Sequence, residues 1–422
     1  MARCESGPRY TDGANSVEER PRTPYAITAP APQMARQAVS PITPGMLRML
    51  TQTAFSVLRR LANRTAGVYN ITGLTTEIIQ RLARECGFEL AGAAPAIPLE
   101  EAGYYRDWVA AGFAGEMKYL TDHRAGIRSD PRKLLRSARS VICVGKLYNG
   151  PEPYSTELSD RELAWISRYA WGEDYHDVLR RGLARLVEKV REHTAGPFEW
   201  KICVDTAPLL ERAYARRAGL GWIGKNTCLI NERMGSWFFL GELLVSLDIE
   251  PGVPPPDRCG TCTQCIDACP TAAIVPAGFP GGPDWAIDSR LCIAYFTIEL
   301  RGSIPYEFRG KMQNHVFGCD ICQDVCPWNH RAPVTGELAF SPQHFAPDLA
   351  KLAQISEEEF RAIFRASPVS RARYAGFLRN VAVAMGNQRS EHFRPPLEDL
   401  ARSPHALVAE HARWALSQLE SR

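Results

Sequence analysis

A chain of 422 residues, 45% hydrophobic and 23% charged, is long enough to bury a large core in two or three domains. A net charge of +3 gives no chain-wide field for polyanions, so any nucleic-acid contact rests on local patches. No apolar run reaches the roughly 18 residues that a membrane-spanning helix needs. Of thirteen Cys, five (Cys4, Cys86, Cys143, Cys203 and Cys228) are scattered without a disulfide-like pattern, as suits a reducing cytoplasm.

Residues 1–70 are rich in Pro, Ala, Thr and Arg and lack periodicity, which predicts a disordered extension. Glu5, Asp12, Glu18 and Glu19 argue against a transit peptide. Organised sequence starts near Thr75, where Ile78, Ile79 and Leu82 have helical spacing. A strand is expected over 88–94 and a helix over 107–120, then a buried strand at 141–144. An amphipathic helix follows from Tyr175 to Val190. A strand over 199–204 ends at Asp205, a helix covers 207–218, and 236–248 is strongly strand-forming. Strands alternate with helices, which predicts an α/β domain over 72–250. Pro251, Pro254, Pro255 and Pro256 mark its end.

The next segment carries the most specific signal. Cys259, Cys262, Cys265 and Cys269-Pro270 have the C-x2-C-x2-C-x3-C-P spacing of a [4Fe–4S] run, whose fourth Cys serves a second cluster. The chain supplies that cluster with Cys292, Cys319, Cys322 and Cys326-Pro327. In the crossed arrangement Cys259, Cys262, Cys265 and Cys326 hold one cluster, and Cys269, Cys292, Cys319 and Cys322 hold the other. Two structural zinc sites are the competing reading, but zinc does not call for a Cys triplet followed by Cys-Pro. The cluster domain is expected over 251–332. Over 333–422 the pattern turns helical, with a capped start at Ser356 and helices over 371–387 and 403–420 that look like a truncated HEAT-like repeat. Such a tail must lean on the cluster domain to bury its faces.

Three other segments are dense in polar and aromatic residues: 167–177, 204–212 and 219–227. Asp205 is placed at the end of a strand, where sites gather on open parallel α/β sheets. Its bland alternative is a helix cap. His176, taken alone, is more often structural than catalytic.

Together, the Cys runs, Cys292-Ile-Ala-Tyr-Phe-Thr-Ile-Glu299, Gly318 to Asn329, Trp171-Gly-Glu-Asp174-Tyr-His176, Val204-Asp-Thr206 and Gly221-Trp-Ile-Gly-Lys-Asn226 resemble the epoxyqueuosine reductase family over about residues 72–390. The resemblance implies an α/β cobalamin-binding domain, a ferredoxin-like domain with two [4Fe–4S] clusters and a short helical tail. It implies reduction of epoxyqueuosine to queuosine at the tRNA wobble position, with cob(II)alamin as cofactor. It also implies a monomer served by an external donor of the flavodoxin or ferredoxin type. Asp205 becomes the proton donor, a carboxyl kept protonated by burial. Arg128, Arg168, Leu229 and Leu240 match positions around cobalamin, and Asp174, Tyr175 and His176 face the same cavity. The alternatives are a reductive dehalogenase-like enzyme, a plain iron–sulfur electron carrier and a tRNA-binding scaffold. Arg59-Arg60 lacks the apolar run of the export signal that dehalogenases usually carry. For tRNA, arginine-rich stretches at 124–139 and 361–390 are the expected phosphate contacts.

Overall fold

The computed structural model describes residues 73–280 and 282–420. The expected extension over 1–70 lies outside the described residues. The described residues form one compact unit.

Its first part runs α1 (Thr76–Glu85), β1 (Leu90–Pro95), α2 (Glu101–Ala110), β2 (Ser140–Leu147), α3 (Tyr175–Glu192), β3 (Trp200–Cys203), α4 (Glu211–Arg217) and β4 (Phe238–Val245). Two of the helix starts are capped by a side chain. Thr75 caps α1 by accepting the Ile78 N–H, and Asp174 caps α3 by accepting the His176 N–H. The four strands form a sheet in the order β1-β2-β4-β3. All three pairings are antiparallel. The alternation of helices and strands is therefore real, but the parallel sheet it suggests is not. Long connections here return each strand beside an oppositely directed neighbour. The argument placing Asp205 by the rule for parallel sheets lapses with it, and Asp205 instead follows the short edge strand β3.

Every residue of β2 is buried, because both sheet faces are covered. On one face Ile142, Val144 and Leu243 pack with Leu179, Leu183, Leu186 and Val187 of α3. On the other, Val141, Cys143 and Leu244 pack with Ala213, Tyr214 and Ala215 of α4. Two expected helices are displaced. The helix foreseen over 107–120 lies earlier, at α2, because Gly112 and Gly115 take positive φ and break the run. The helix foreseen from Ala207 begins only at Glu211, after the turn that contains Pro208.

Downstream, the hairpin Ile274–Pro276/Trp285–Ile287 fills the gap between Cys269 and Cys292. A π-turn spans Tyr295–Glu299, a geometry that often marks functional sites. His315–Phe317 pairs in parallel with Trp165–Ile166, joining this region to the first part.

The tail contains α5 (Glu357–Ile363), α6 (Tyr374–Gln388), α7 (Arg394–Ala401) and α8 (Ala406–Glu420). The expected cap at Ser356 is a full capping box with Glu359. The stretch foreseen as one helix over 403–420 is preceded by α7, which Arg394-Pro395-Pro396 opens. Helix α6 is buried from Phe377 to Gly386 and packs on α8. It also docks on the cluster region through polar side chains. Arg379, only 1% exposed, donates to the carbonyls of Phe296, Leu300 and Gly302. Asn380 donates to those of Thr297 and Val316. Among the described residues no helix is long and apolar enough to cross a membrane.

Candidate active site and cluster centres

At the start of α3, Asp174 bonds both the backbone N–H of His176 and its ring Nδ1, the latter at 2.6 Å. The other ring nitrogen, Nε2, lies 3.2 Å from Asp205 Oδ2. One imidazole therefore sits between two carboxylates. Burial works against its charged form, but the hydrogen bonds and charges of Asp174 and Asp205 prevail and lift His176 to a pKa of about 9. Burial works in the opposite sense on Asp205. The His176 bond and charge, with Arg371 beyond, outweigh it and hold Asp205 below the usual carboxylate range. The protonated carboxyl expected at Asp205 is thus replaced by an ionised one beside an imidazolium. The physical reason is the second ring contact, which spacing in the sequence does not reveal.

Tyr175 stacks on His176 at 4.2 Å and on Phe239 at 4.3 Å, fixing the ring plane. The tight approach behind it needs Gly172, where a Cβ would lie 2.3 Å from the Ala339 carbonyl oxygen. Arg371 also faces a cavity of about 680 Å³ lined by Lys118, Tyr119, Arg124, Glu299 and Arg301 among others. Arg371 bonds Glu299 at 2.7 Å and lies over the Tyr119 ring. Burial, with Glu299 beside it, pushes Tyr119 up to about 12. The charge of Arg371 acts on both Tyr119 and Asp205, which couples this cavity electrostatically to the His176–Asp205 pair. Glu299, Arg301 and Lys118 are lining residues that sequence reasoning missed. Glu299 stood in the Cys292–Glu299 motif, without a role assigned to it.

The thiols of the two Cys runs lie among one another's electrostatic neighbours. Burial raises Cys265 to about 11, and its thiol neighbours are Cys326, Cys259 and Cys262. Cys326 is likewise raised to about 11, mainly by burial, with Cys259 and Cys262 among its neighbours. Cys319 is raised by burial and by Cys292 and Cys269, and Cys322 by burial and then by Cys228, Cys319, Cys292 and Cys265, so Cys322 also lies near a thiol of the first run. Among the described residues no three His, Cys, Asp or Glu side chains converge as ligands of a single ion do. Eight thiols contributed by the two runs and Cys292 match the number that two cubanes need, four sulfurs each. Between them lies the hairpin Trp222–Ile223/Leu229–Ile230. Lys225 donates to the carbonyls of Gly260 and Cys262, and Asn226 to that of Cys322. The Gly-Trp-Ile-Gly-Lys-Asn stretch thereby ties both Cys runs to the catalytic part.

Known proteins share this arrangement. The sequence profile of epoxyqueuosine reductase QueG (DUF1730) matches residues 128–206, and that of a 4Fe-4S double cluster binding domain matches 258–329. An epoxyqueuosine reductase of Xanthomonas campestris is 42% identical over 81% of this chain and 95% of its own length. One of Pseudomonas aeruginosa is 44% identical over 80% of this chain and 92% of its own. The chain belongs to the epoxyqueuosine reductase family. A crystal structure of epoxyqueuosine reductase with an epoxyqueuosine-modified tRNA-Tyr stem loop superposes with a TM-score of 0.73 at 29% identity, covering 81% of this chain and 89% of that one. The Streptococcus thermophilus enzyme gives 0.70 at 29% identity, over 82% and 90%.

The remaining site residues divide. Leu229 and Leu240 join the apolar cluster of Ala207, Leu209 and Leu210, the segment just after Asp205. Arg168 is 2% exposed and donates to the carbonyls of Gly150, Glu152 and Pro153. Arg128, 7% exposed, donates to that of Tyr119. Both are buried backbone ties. The arginine-rich stretches also lose free charge. Arg124, Arg132 and Arg139 pair with Asp122, Asp130 and Asp248. Arg361 and Arg371 pair with Glu357 and Glu299, and Arg379 is buried.

Proposed function

We propose that this chain reduces the epoxide of epoxyqueuosine to the alkene of queuosine at the tRNA wobble position. Its family membership and the stem loop bound by a structural relative support this reading. The observation that carries it is the imidazole of His176 held between Asp174 and Asp205 and coupled through Arg371 to a cavity. The net reaction consumes two electrons and two protons and releases water. The protein's task is to protonate the departing oxygen. The Nε2–H of His176 lies on Asp205 Oδ2, so the pair stores a proton that Asp205 passes on as the oxygen leaves.

Cysteines 259, 262, 265 and 326 would hold one [4Fe–4S] cluster and Cys269, Cys292, Cys319 and Cys322 the other. Their sulfur donor sets fit that role. Leu229 and Leu240 in one core cluster, and the stacked Tyr175–His176 pair beside the other, offer the apolar and aromatic surface that a flat macrocycle such as cobalamin would need. Bound there, cob(II)alamin, reduced through the clusters, supplies the electrons for the epoxide. Arg128 and Arg168 would serve the cofactor site indirectly, by fixing the backbone at Tyr119 and at Gly150, Glu152 and Pro153. The anticodon loop would offer its wobble base to the cavity. An acidic carrier of the flavodoxin or ferredoxin type would feed the clusters, and the monomer is the working unit. The three-part organisation, 72–250 for the cofactor, 251–332 for the clusters and 333–422 as a HEAT-like support, belongs to the same proposal.

The test is conversion of epoxyqueuosine-containing tRNA by purified, cobalamin-loaded protein with a chemical reductant. Mass analysis of the nucleosides should show loss of one oxygen atom from the modified base. Unchanged nucleosides with both clusters and cobalamin in place would overturn the reading.

A further inference from the structure

Under Asp205 lies a second pair of carboxyls, which the proton transfer above does not use. Asp205 has φ 48°, an uncommon conformation for a residue with a Cβ. The Thr206 N–H bonds back to the Val204 carbonyl across it, the strained form of a γ-turn. Such a conformation persists only where its surroundings impose it. The contact that does so is the Glu211 carboxylate, which accepts the Asp205 backbone N–H at 2.7 Å through Oε1.

Glu211 opens α4, and what lies under it is unusual. Glu242 is in the middle of β4, opposite Cys143 on one side and Cys203 on the other. In antiparallel register these three side chains share a face, the one covered by α4. Glu242 is 0% exposed, and neither of its oxygens has a hydrogen-bond partner. The charged groups that act on it are Glu211 and Asp205, both acidic. A buried carboxyl without a cation is stable only as the neutral acid. Burial, then Glu211, drives its proton affinity well up. Glu211 itself is lifted to about 7, first by burial and next by the Asp205 charge. A neutral Glu242 carries an O–H donor, and the nearby group that accepts it is the Glu211 carboxylate.

We propose that Glu242, as a neutral acid, and Glu211 form a latch that holds the Asp205 turn and thereby aims the Asp205 carboxylate at His176. Both are positioning residues. The proposal rests on the reading of Asp205 as a working group. It explains why an acid stands in the core of a strand whose other residues on that face are apolar or Cys.

The test compares Glu211→Ala, Glu242→Leu and Glu242→Gln with the wild type in three measurements: single-turnover rate on epoxyqueuosine tRNA, tRNA affinity, and the NMR titration of the His176 ring. His176 is faced by Asp174 and Asp205 and stacked on Tyr175, with Arg371 acting on Asp205 and Arg212 on Glu211. Glu211→Ala should slow turnover about 100-fold, the scale of a small misplacement, with tRNA affinity unchanged. The His176 midpoint should fall from about 9 toward 6.5 as Asp205 drifts away. Glu242→Leu should act in the same direction. Glu242→Gln should restore most of the rate, because its amide N–H replaces the acid O–H. A wild-type rate and an unmoved His176 midpoint in Glu211→Ala would overturn the latch. Should that variant not fold, equal rates for Glu242→Leu and Glu242→Gln would do the same. If the wild type leaves the tRNA unchanged, the functional reading fails, while the His176 midpoints still decide the latch.

Discussion

The cleft at His176 and the joint at Arg379 are both polar constellations inside one compact unit, and they are built on opposite terms. Arg379 and Asn380 are buried and spend their donors on backbone carbonyls. Burial, the dominant influence, lowers the pKa of Arg379 to about 10, which still leaves it charged near neutrality. At His176 an imidazole lies between two carboxylates, and the Asp205 side chain remains 45% exposed. One network is closed and gives up nothing. The other holds a proton near an open surface. Polar density alone does not separate structure from function; exposure and exchangeable charge do.

The sharpest way to break this contrast is Asp205→Asn. The amide keeps the shape of the side chain but cannot accept and pass on the His176 proton. Turnover should fall by about 100- to 10,000-fold, the range for a lost acid–base group. Cluster content and tRNA affinity should remain. Near-wild-type activity would reduce Asp205 to a turn residue.

Arg379→Ala tests the other pole. It strips donors from three carbonyls and leaves a cavity, with an expected loss of about 3–5 kcal/mol in unfolding free energy. Chemical denaturation measures this, and the rate per folded molecule should change little. A variant as stable as wild type but slow would place Arg379 in the machinery instead.

These two regions differ also in how far the sequence reveals them. The Cys runs are local patterns, so spacing alone exposed the double-cluster segment, whose family model matches residues 258–329. The buried strand over 141–144 and helix α3 were legible from apolar periodicity. Strand direction was not, because periodicity is the same in parallel and antiparallel sheets. The sharing of one ring by Asp174 and Asp205 spans 29 residues between His176 and Asp205. The arginines differ in the same way: Asp122 and Asp130 stand two residues from Arg124 and Arg132, whereas Glu299, the partner of Arg371, lies 72 positions away.

The pH dependence sharpens the cleft side. His176 has a folded pKa of about 9 against 6.5 for the free side chain. The sign follows: its contribution to stability is complete below about 6.5 and is lost as pH rises through 9. The single-turnover rate should fall on the alkaline side with the same midpoint. His411 shows the reverse. Burial lowers it to about 4, so its contribution is complete above 6.5 and disappears as pH falls through 4. Acid should therefore loosen the tail, and alkali should silence the cleft. A rate midpoint near 6.5 would show that the carboxylates do not hold the proton on His176.

The smallest expected effect concerns tRNA, at the boundary between the two regions. Arg371 and Arg373 precede α6, two residues apart, yet they are not equivalent. Arg371 is neutralised by Glu299 and lies over Tyr119. Arg373 is exposed, takes φ 58°, and helps to lower the pKa of Arg301, for which burial is the first cause. A free arginine that meets a phosphate contributes about 0.7 to the slope of log affinity against log salt on single-stranded RNA. Arg373→Gln should remove about that much. Arg371→Gln should alter the slope less, because its charge is already matched, and should slow turnover more, because it lies toward Asp205. If both substitutions change the slope equally, the Glu299 pair opens on binding and Arg371 is delivered to the backbone of the RNA. If neither does, the tail does not touch phosphate, and tRNA is held by the catalytic and cluster parts alone.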